Sequence, residues 1–370
     1  MANKILYIGG FELPDKNAAA HRVLSNARTM REMGFEVSFI GPTKEGMTKT
    51  GTAAGFPVKF IPYPSGTKAW IKYITTFVET KEIENADPNY VVLYNFPAIA
   101  SLKIIKYCHK HGIQVIHDVT EWESEQQWNA RALIRRLDIL FRMRYCIKKC
   151  DGVIAISRYL FDYYRKFVHT ILVPPTIDLK DEKWERKRSL TVGSPIRLVY
   201  AGTAGVGQKD RLDLIIREVS KSSQIQLDII GMTKEQYESS FGQLPKPSTN
   251  IAFHGRVPHK VALEAVKNAD FQFLIRNNNL KNNAGFPTKL VESMACGTPL
   301  IATLTSNIGD YIIDGENGFV VSEQRTLNSI ISTITDLPKE QILEMKQRCL
   351  NYDGFDYHIY KKEFESLFGV

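Results

Sequence analysis

The chain has 370 residues, 44% of them apolar and 24% charged, with 48 Lys and Arg against 40 Asp and Glu for a formal charge of +8. That length suits two domains, each able to bury its own core, and the composition excludes a disordered or collagen-like chain. No apolar run approaches the roughly 20 residues that span a bilayer. The apolar start Ile5–Ile8 breaks at Gly9-Gly10, too short for the core of a signal peptide. Five cysteines (Cys108, Cys146, Cys150, Cys296, Cys349) form neither an even set nor a CxxC pair, which predicts a reduced, cytoplasmic setting.

In chain order, short β-branched runs alternate with helical stretches. Strands are expected at Lys4–Ile8, Phe35–Ile40, Tyr90–Tyr94, Gln114–Ile116, Gly152–Ile156 and Ile171–Val173, with a helix over about 18–33 that Gly34 caps. The stretch 179–195 is charged, lacks periodicity and ends in Gly-Ser-Pro, and reads as a linker. The alternation then restarts, with strands expected at Ile196–Ala201, Gln226–Ile230, Ile251–His254, Phe271–Ile275, Leu300–Ala302 and Phe319–Val321. Strands separated by helices give parallel sheets covered on both faces, so the predicted architecture is two doubly wound α/β domains, 1–178 and 196–350. The helical segment 351–370 is expected to return to the first domain. Ligands should sit at the carboxyl ends of the strands, in the cleft between domains.

Three segments of the second half could carry chemistry. Strand Ile196–Ala201 runs into Gly202-Thr203-Ala204-Gly205-Val206-Gly207-Gln208-Lys209-Asp210-Arg211. Such a loop offers backbone N–H groups beside a helix N-terminus, and Lys209 and Arg211 add charge for a diphosphate; a solvated turn is the plain alternative. The spacing is GxxGxG rather than GxGxxG, and no acidic residue ends the next strand, which argues against a dinucleotide fingerprint. Arg276 follows a strand, where a cation can face a ligand, although a polar surface loop has the same composition. Residues 283–302 (NAGFPTKLVESMACGTPLIA) place a glycine-containing loop before a helix on which Lys289 and Glu292 share a face. A carboxylate there can accept from a ribose diol, and the N–H groups of Gly285–Thr288 can face sugar hydroxyls or phosphate; a surface ion pair is the alternative.

These segments together, with FHGRVP at 253–258 and IDGENGFV at 313–320, resemble the donor-binding half of retaining GT-B glycosyltransferases of family 4. The resemblance implies two Rossmann-like domains facing each other across a cleft, with an acceptor-binding first domain and a nucleotide-sugar-binding second domain. It gives Glu292 the ribose, as second Glu of an E-x7-E motif, and Lys209 the diphosphate, with Arg211 and Arg276 in support. Thr203 stands where the family carries an Arg, and Ala284 where it carries the first Glu. Gly202, Thr203, Gly205, Gly285, Phe286, Pro287, Thr288 and Lys289 complete the expected nucleotide-sugar site, together with Gly9 and Gly10 of the first domain. His117 takes the place of a histidine that contacts the donor sugar; a His–Asp pair capping the strand is the plain alternative. His21, Arg22 and Asp118 are expected to meet the acceptor, a solvated helix start being the alternative for His21 and Arg22. Glu121, Glu123 and Glu125 are weaker acid/base candidates. No Asp-x-Asp and no His/Cys cluster implies a metal, so no cofactor is expected beyond the nucleotide sugar as co-substrate.

The excess charge lies in the first half, where residues 1–180 hold 25 Lys and Arg against 17 Asp and Glu. Arg131–Lys149 alone carries seven cations and one Asp. Leu133, Ile134, Leu137, Leu140, Phe141 and Tyr145 recur at helical spacing and are expected to pack on the sheet, leaving a solvated basic face. Arg135, Arg136, Arg142 and Arg144 could hold that face against an anionic bilayer; no motif supports nucleic acid as partner. The sequence therefore predicts a cytoplasmic, metal-independent retaining glycosyltransferase, peripheral on the inner membrane. It would move a sugar from a nucleotide diphosphate to a saccharide or lipid-linked acceptor of the bacterial envelope. The alternatives are an epimerase or small-molecule transferase on the same fold, or a non-catalytic nucleotide-binding module.

Overall fold

Every run that the sequence marks as a strand is one, and the strands form two sheets. The computed structural model describes residues 3–14, 17–44, 47–122, 129–202, 209–246 and 248–370. One unit comprises Met1–Asp178, Ala284–Phe286 and Phe355–Val370, and the other Leu179–Asn283 and Pro287–Gly354.

The first unit holds β1 (Lys4–Gly9), β2 (Glu36–Thr43), β3 (Lys49–Ala53), β4 (Phe56–Pro62), β5 (Tyr90–Tyr94), β6 (Gln114–Val119), β7 (Gly152–Ala155) and β8 (His169–Leu172). Their order is β3-β4-β2-β1-β5-β6-β7-β8, and only the β3–β4 hairpin is antiparallel. This hairpin has no counterpart in the sequence reading. It turns through Ala54 and Gly55, both at positive φ (50° and 77°), as a two-residue hairpin turn requires. The centre of the sheet is fully covered: Val91, Val92 and Leu93 are all buried.

Helix Ala18–Glu32 is capped by Asn17, whose side chain accepts from the Ala20 N–H at 2.8 Å, and it ends before Gly34 at φ +90°. Helix Lys361–Phe368 places Phe364, Leu367 and Phe368 in the first unit's core, where Phe368 packs edge-on against Tyr90.

The second unit holds β9 (Ile196–Ala201), β10 (Ile225–Ile230), β11 (Ile251–Gly255), β12 (Phe271–Leu274), β13 (Leu300–Thr303) and β14 (Gly318–Val321), in the order β11-β10-β9-β12-β13-β14 and parallel throughout. Both sheets reverse strand order beside their first strand, β1 and β9, which puts a ligand crevice at the loops after those strands. Residues 179–195 pack within the second unit rather than running free. Trp184 is buried, the Arg188 guanidinium donates to the Cys296 carbonyl, and the Gly193 N–H donates to Asp270.

The basic stretch folds the opposite way round from the expectation. Helix Ala130–Phe141 continues into a π-helical turn, Arg142–Cys146. Ile139, Met143, Cys146 and Ile147 face the protein, and two polar groups face it with them. Asp138 accepts from the Ala98 N–H at 2.8 Å at the start of helix Ala98–Lys110, and the buried Arg142 donates to the Asn95 carbonyl at 3.0 Å. Leu133, Ile134, Leu137, Phe141 and Tyr145 are exposed. Arg142 is therefore withdrawn from the expected membrane-facing set, because its guanidinium satisfies buried carbonyls, while Arg135, Arg136 and Arg144 lie on the surface. Among the described residues, no helix is long and apolar enough to cross a membrane.

Candidate functional site

The loops after β9 and β12 converge on one carboxylate. Asp210 is 4% exposed; it accepts from Arg276 Nε at 2.6 Å, from Lys289 Nζ at 2.5 Å and from the Tyr200 hydroxyl at 2.9 Å. Tyr200 belongs to β9, Arg276 follows β12, and Lys289 is in the first turn of helix Thr288–Ala295, so three elements at the carboxyl edge of the sheet are tied together. Thr303 fixes the Arg276 backbone from both sides: its hydroxyl accepts from the Arg276 N–H at 2.7 Å and donates to its carbonyl at 2.9 Å.

Burial pushes the Asp210 carboxyl up, but Lys289 and Arg276 together outweigh it and hold the group below the usual carboxylate range. Burial lowers Lys289, against the pull of Asp210. Lys289 Nζ also sits 4.0 Å from the centre of the Tyr200 ring. It lies so close over the loop that a Cβ on Gly202 (φ +155°) would come within 2.5 Å of it. Two cations and one carboxylate leave a net positive charge beside Gly202.

Lys289 and Glu292 do not form the surface pair considered from sequence. Lys289 turns to Asp210, while the Glu292 carboxylate accepts from His259 Nε2 at 3.2 Å, with both side chains part-exposed. Arg211 commits its fork to Asp213, with contacts of 2.9 and 2.7 Å, and its remaining nitrogen donates to Asn277 at 3.2 Å. A guanidinium already paired in this bidentate way is a weaker diphosphate ligand than the sequence alone implies. Lys209 is exposed at the start of the same segment. Thr203 and Gly205, like Glu123 and Glu125, lie outside the described residues. Gly285 and Thr288 are half-buried, Phe286 is buried, and Pro287 caps the helix that carries Lys289 and Glu292.

In the first unit, Gly9 approaches Tyr94 so closely that a Cβ would lie 2.5 Å from the tyrosine carbonyl oxygen. Gly10 opens onto a cavity of about 650 Å³ walled by Trp70, Tyr94, Glu121, Arg135 and Asp138. His117 is 1% exposed, and neither ring nitrogen has a hydrogen-bond partner among the described residues. Burial, helped by Arg142, lowers its pKa to about 3, so the imidazole is neutral at physiological pH.

Arg22 and Asp118 require a correction. Arg22 Nη2 and Nε meet Asp118 Oδ1 at 2.7 and 2.9 Å, Tyr7 donates to Oδ2 at 2.5 Å, and Asn26 donates at 3.2 Å. Arg22 also donates to the Val173 carbonyl. Both charges are buried and satisfied by the protein itself, so they join helix Ala18–Glu32 to the sheet instead of meeting an acceptor. His21, their neighbour, is exposed.

Sequence reasoning missed Asp210, Tyr200, Thr303 and His259. Asp210 carried one signal: it is the acidic residue between the two cations assigned to the phosphate loop. Thr303 meets Arg276 only because β13 lies beside β12, His259 meets Glu292 only by the packing of two helices, and nothing local marks the Tyr200 hydroxyl as a partner.

The model of a family described as glycosyl transferases group 1 matches residues 185–353, and that of Glycosyltransferase Family 4 matches residues 19–181. No curated protein sequence is significantly similar to the chain. Among solved structures, sucrose-phosphate synthase from Thermosynechococcus elongatus aligns over 100% of this chain and 98% of its own, with a TM-score of 0.70 at 14% identity. The Anabaena protein HepE in complex with UDP-glucose aligns over 99% and 100%, with a TM-score of 0.64 at 13% identity. The lipopolysaccharide outer core galactosyltransferase WaaB aligns over 99% of both chains, with a TM-score of 0.63 at 17% identity. At such identities the likeness is one of fold.

Proposed function

We propose, from the premise that the chain belongs to the family 4 (group 1) glycosyltransferases with the GT-B fold, that it moves a sugar with retention of configuration from a nucleotide diphosphate to a lipid-linked saccharide. The setting is bacterial envelope polysaccharide synthesis, at the cytoplasmic face of the inner membrane. The observation that carries the donor assignment is the pair of cations, Arg276 and Lys289, fixed on Asp210, with Lys289 against Gly202.

In this reading Arg276, Lys289 and the exposed Lys209 bind the diphosphate and stabilise the charge that grows on it as the sugar leaves, without a metal ion. Asp210 is a positioning residue that sets where the two cations stand. Glu292 accepts from the ribose diol. His117, held neutral, hydrogen-bonds the donor sugar. The bond from the anomeric carbon to the phosphate oxygen breaks, the bond to the acceptor hydroxyl oxygen forms on the same face, and the hydroxyl proton passes to the leaving phosphate. Ala284, in place of a carboxylate against the sugar, leaves stabilisation of the sugar to backbone N–H groups of Gly285 and Phe286.

A panel of nucleotide sugars, assayed for nucleoside diphosphate release with and without a bacterial membrane extract, tests the proposal. One donor should turn over, and faster with extract. Nucleotide binding without turnover of any donor would reduce the protein to a binding module.

A further inference from the structure

Helix 130–141 and the π-helical turn after it are amphipathic in the inverted sense. Their polar groups Asp138 and Arg142 bond to the protein interior, while Leu133, Ile134, Leu137, Phe141 and Tyr145 stand 43–57% exposed. Residues four apart on an α-helix drift around its axis, and a wider turn brings them back toward register. The π-helical turn does this here: Phe141 and Tyr145 stack with ring centroids 5.2 Å apart and planes 6° from parallel. The result is one continuous apolar stripe that ends in an aromatic pair.

Cations border the stripe. Arg135, Arg136, Arg144 and Lys149 are exposed, and Lys149 Nζ lies 5.2 Å from the Tyr145 ring. Beyond it Lys148 Nζ lies 3.5 Å from the ring of Phe167, another exposed aromatic. The acidic residue of the stretch, Asp138, is engaged at the Ala98 N–H.

We propose that residues 133–149 are a docking face for an anionic bilayer, with the aliphatic and aromatic side chains in the interface and the cations at lipid phosphates. Charge decides between this occupant and a second copy of the chain, since a two-fold contact through the stripe would set these arginines against their own equivalents. The same helix walls the cavity beside Gly10, through Ile134, Arg135 and Asp138. A polar head group anchored in the bilayer thus enters a cavity with the aromatic walls Trp70 and Tyr94 and the carboxylate Glu121, a chemistry suited to a saccharide. This last step rests on the function proposed above; the docking face does not.

Co-sedimentation of the whole protein, without donor, with vesicles of phosphatidylcholine alone or mixed in equal parts with phosphatidylglycerol tests the face. The protein should pellet with the mixed vesicles. Arg136→Ala/Arg144→Ala should lower the partition coefficient roughly 30-fold, since each cation near the surface contributes about a factor of five. Leu137→Glu/Phe141→Glu should abolish binding with an unchanged thermal melt, because both side chains are already in water.

Failure of the wild type to pellet, equal binding by the variants, or a dimer in sedimentation that Leu137→Glu/Phe141→Glu dissolves would each overturn the docking face. Trp70→Ala should lower transfer to a lipid-anchored acceptor at least tenfold without changing vesicle binding or nucleotide affinity; unchanged transfer would overturn the cavity assignment. Vesicle binding without nucleotide release from any donor would refute the proposed enzyme and leave the face standing.

Discussion

Replacing Asp210 with asparagine removes the carboxylate that Arg276 and Lys289 share while keeping the side chain's shape. The Asp210 side chain is 5% exposed, and those of its two cations 11% and 14%, so solvent cannot take over the lost role. Removing one partner of a buried ion pair costs about 3–5 kcal/mol, because an uncompensated charge stays inside. Here two cations are left facing each other, and Lys289, already lowered by burial, is the one able to shed its proton and limit the cost. For a unit of this size the melting temperature should fall by about 6–20 °C.

The pH dependence follows from the sign of the shift. Asp210 is depressed in the folded state, so its stabilisation is complete above the ordinary carboxylate range and is lost as pH falls toward the folded value. The gap between wild type and Asp210→Asn should therefore close as pH falls from the ordinary carboxylate range into acid. Calorimetric scans across that range measure it. A loss under about 1 kcal/mol at pH 7, as for an exposed pair, or a gap that does not close in acid, would refute the view that this carboxylate organises the site.

Glu292→Ala should weaken nucleoside diphosphate binding by about 10- to 150-fold, the value of hydrogen bonds to a charged acceptor, in a calorimetric titration; an unchanged affinity removes Glu292 from the site. His117 is neutral in the fold and its pKa lies at about 3 instead of 6.5, so the unfolded chain takes up its proton first and stability declines as pH drops below 6.5. Between pH 7 and pH 4 this amounts to about 3 kcal/mol. His117→Gln should flatten urea-unfolding stability over that interval, and parallel curves for the two proteins would show that the histidine is not buried neutral. Arg22→Met should cost about 3–5 kcal/mol in the first unit's unfolding while leaving affinity for any soluble acceptor unchanged; a stable variant with lost acceptor binding would restore Arg22 as a ligand.

The strands were legible because a doubly covered parallel sheet writes itself as uninterrupted apolar runs, such as Tyr90–Tyr94 and Ile196–Ala201. The edge hairpin was not: β3 is Lys-Thr-Gly-Thr-Ala with four of its five residues exposed, and its turn lacks the Asn-Gly or Asp-Gly signal. The places of Arg276, Lys289 and Glu292, after a strand and on the first turns of a helix, were legible. Long-range pairings were not, since Asp210 reaches Lys289 across 79 residues of chain and Arg22 reaches Asp118 across 96. Periodicity identified the amphipathic helix at 130–141 but could not say which face looks inward. Asp138 and Arg142 decided that by bonding to the start of a neighbouring helix and the loop before it, partners that no local pattern announces.

Transfer of radiolabelled sugar from a nucleotide diphosphate donor into an organic-solvent extract of bacterial membranes, by wild type and by Lys289→Met in parallel, tests the central claim most directly. The expected result is label in the lipid fraction with wild type and a loss of at least tenfold with Lys289→Met, in a variant that still folds. Label that stays on the nucleotide with every donor, or transfer that survives Lys289→Met unchanged, would contradict it.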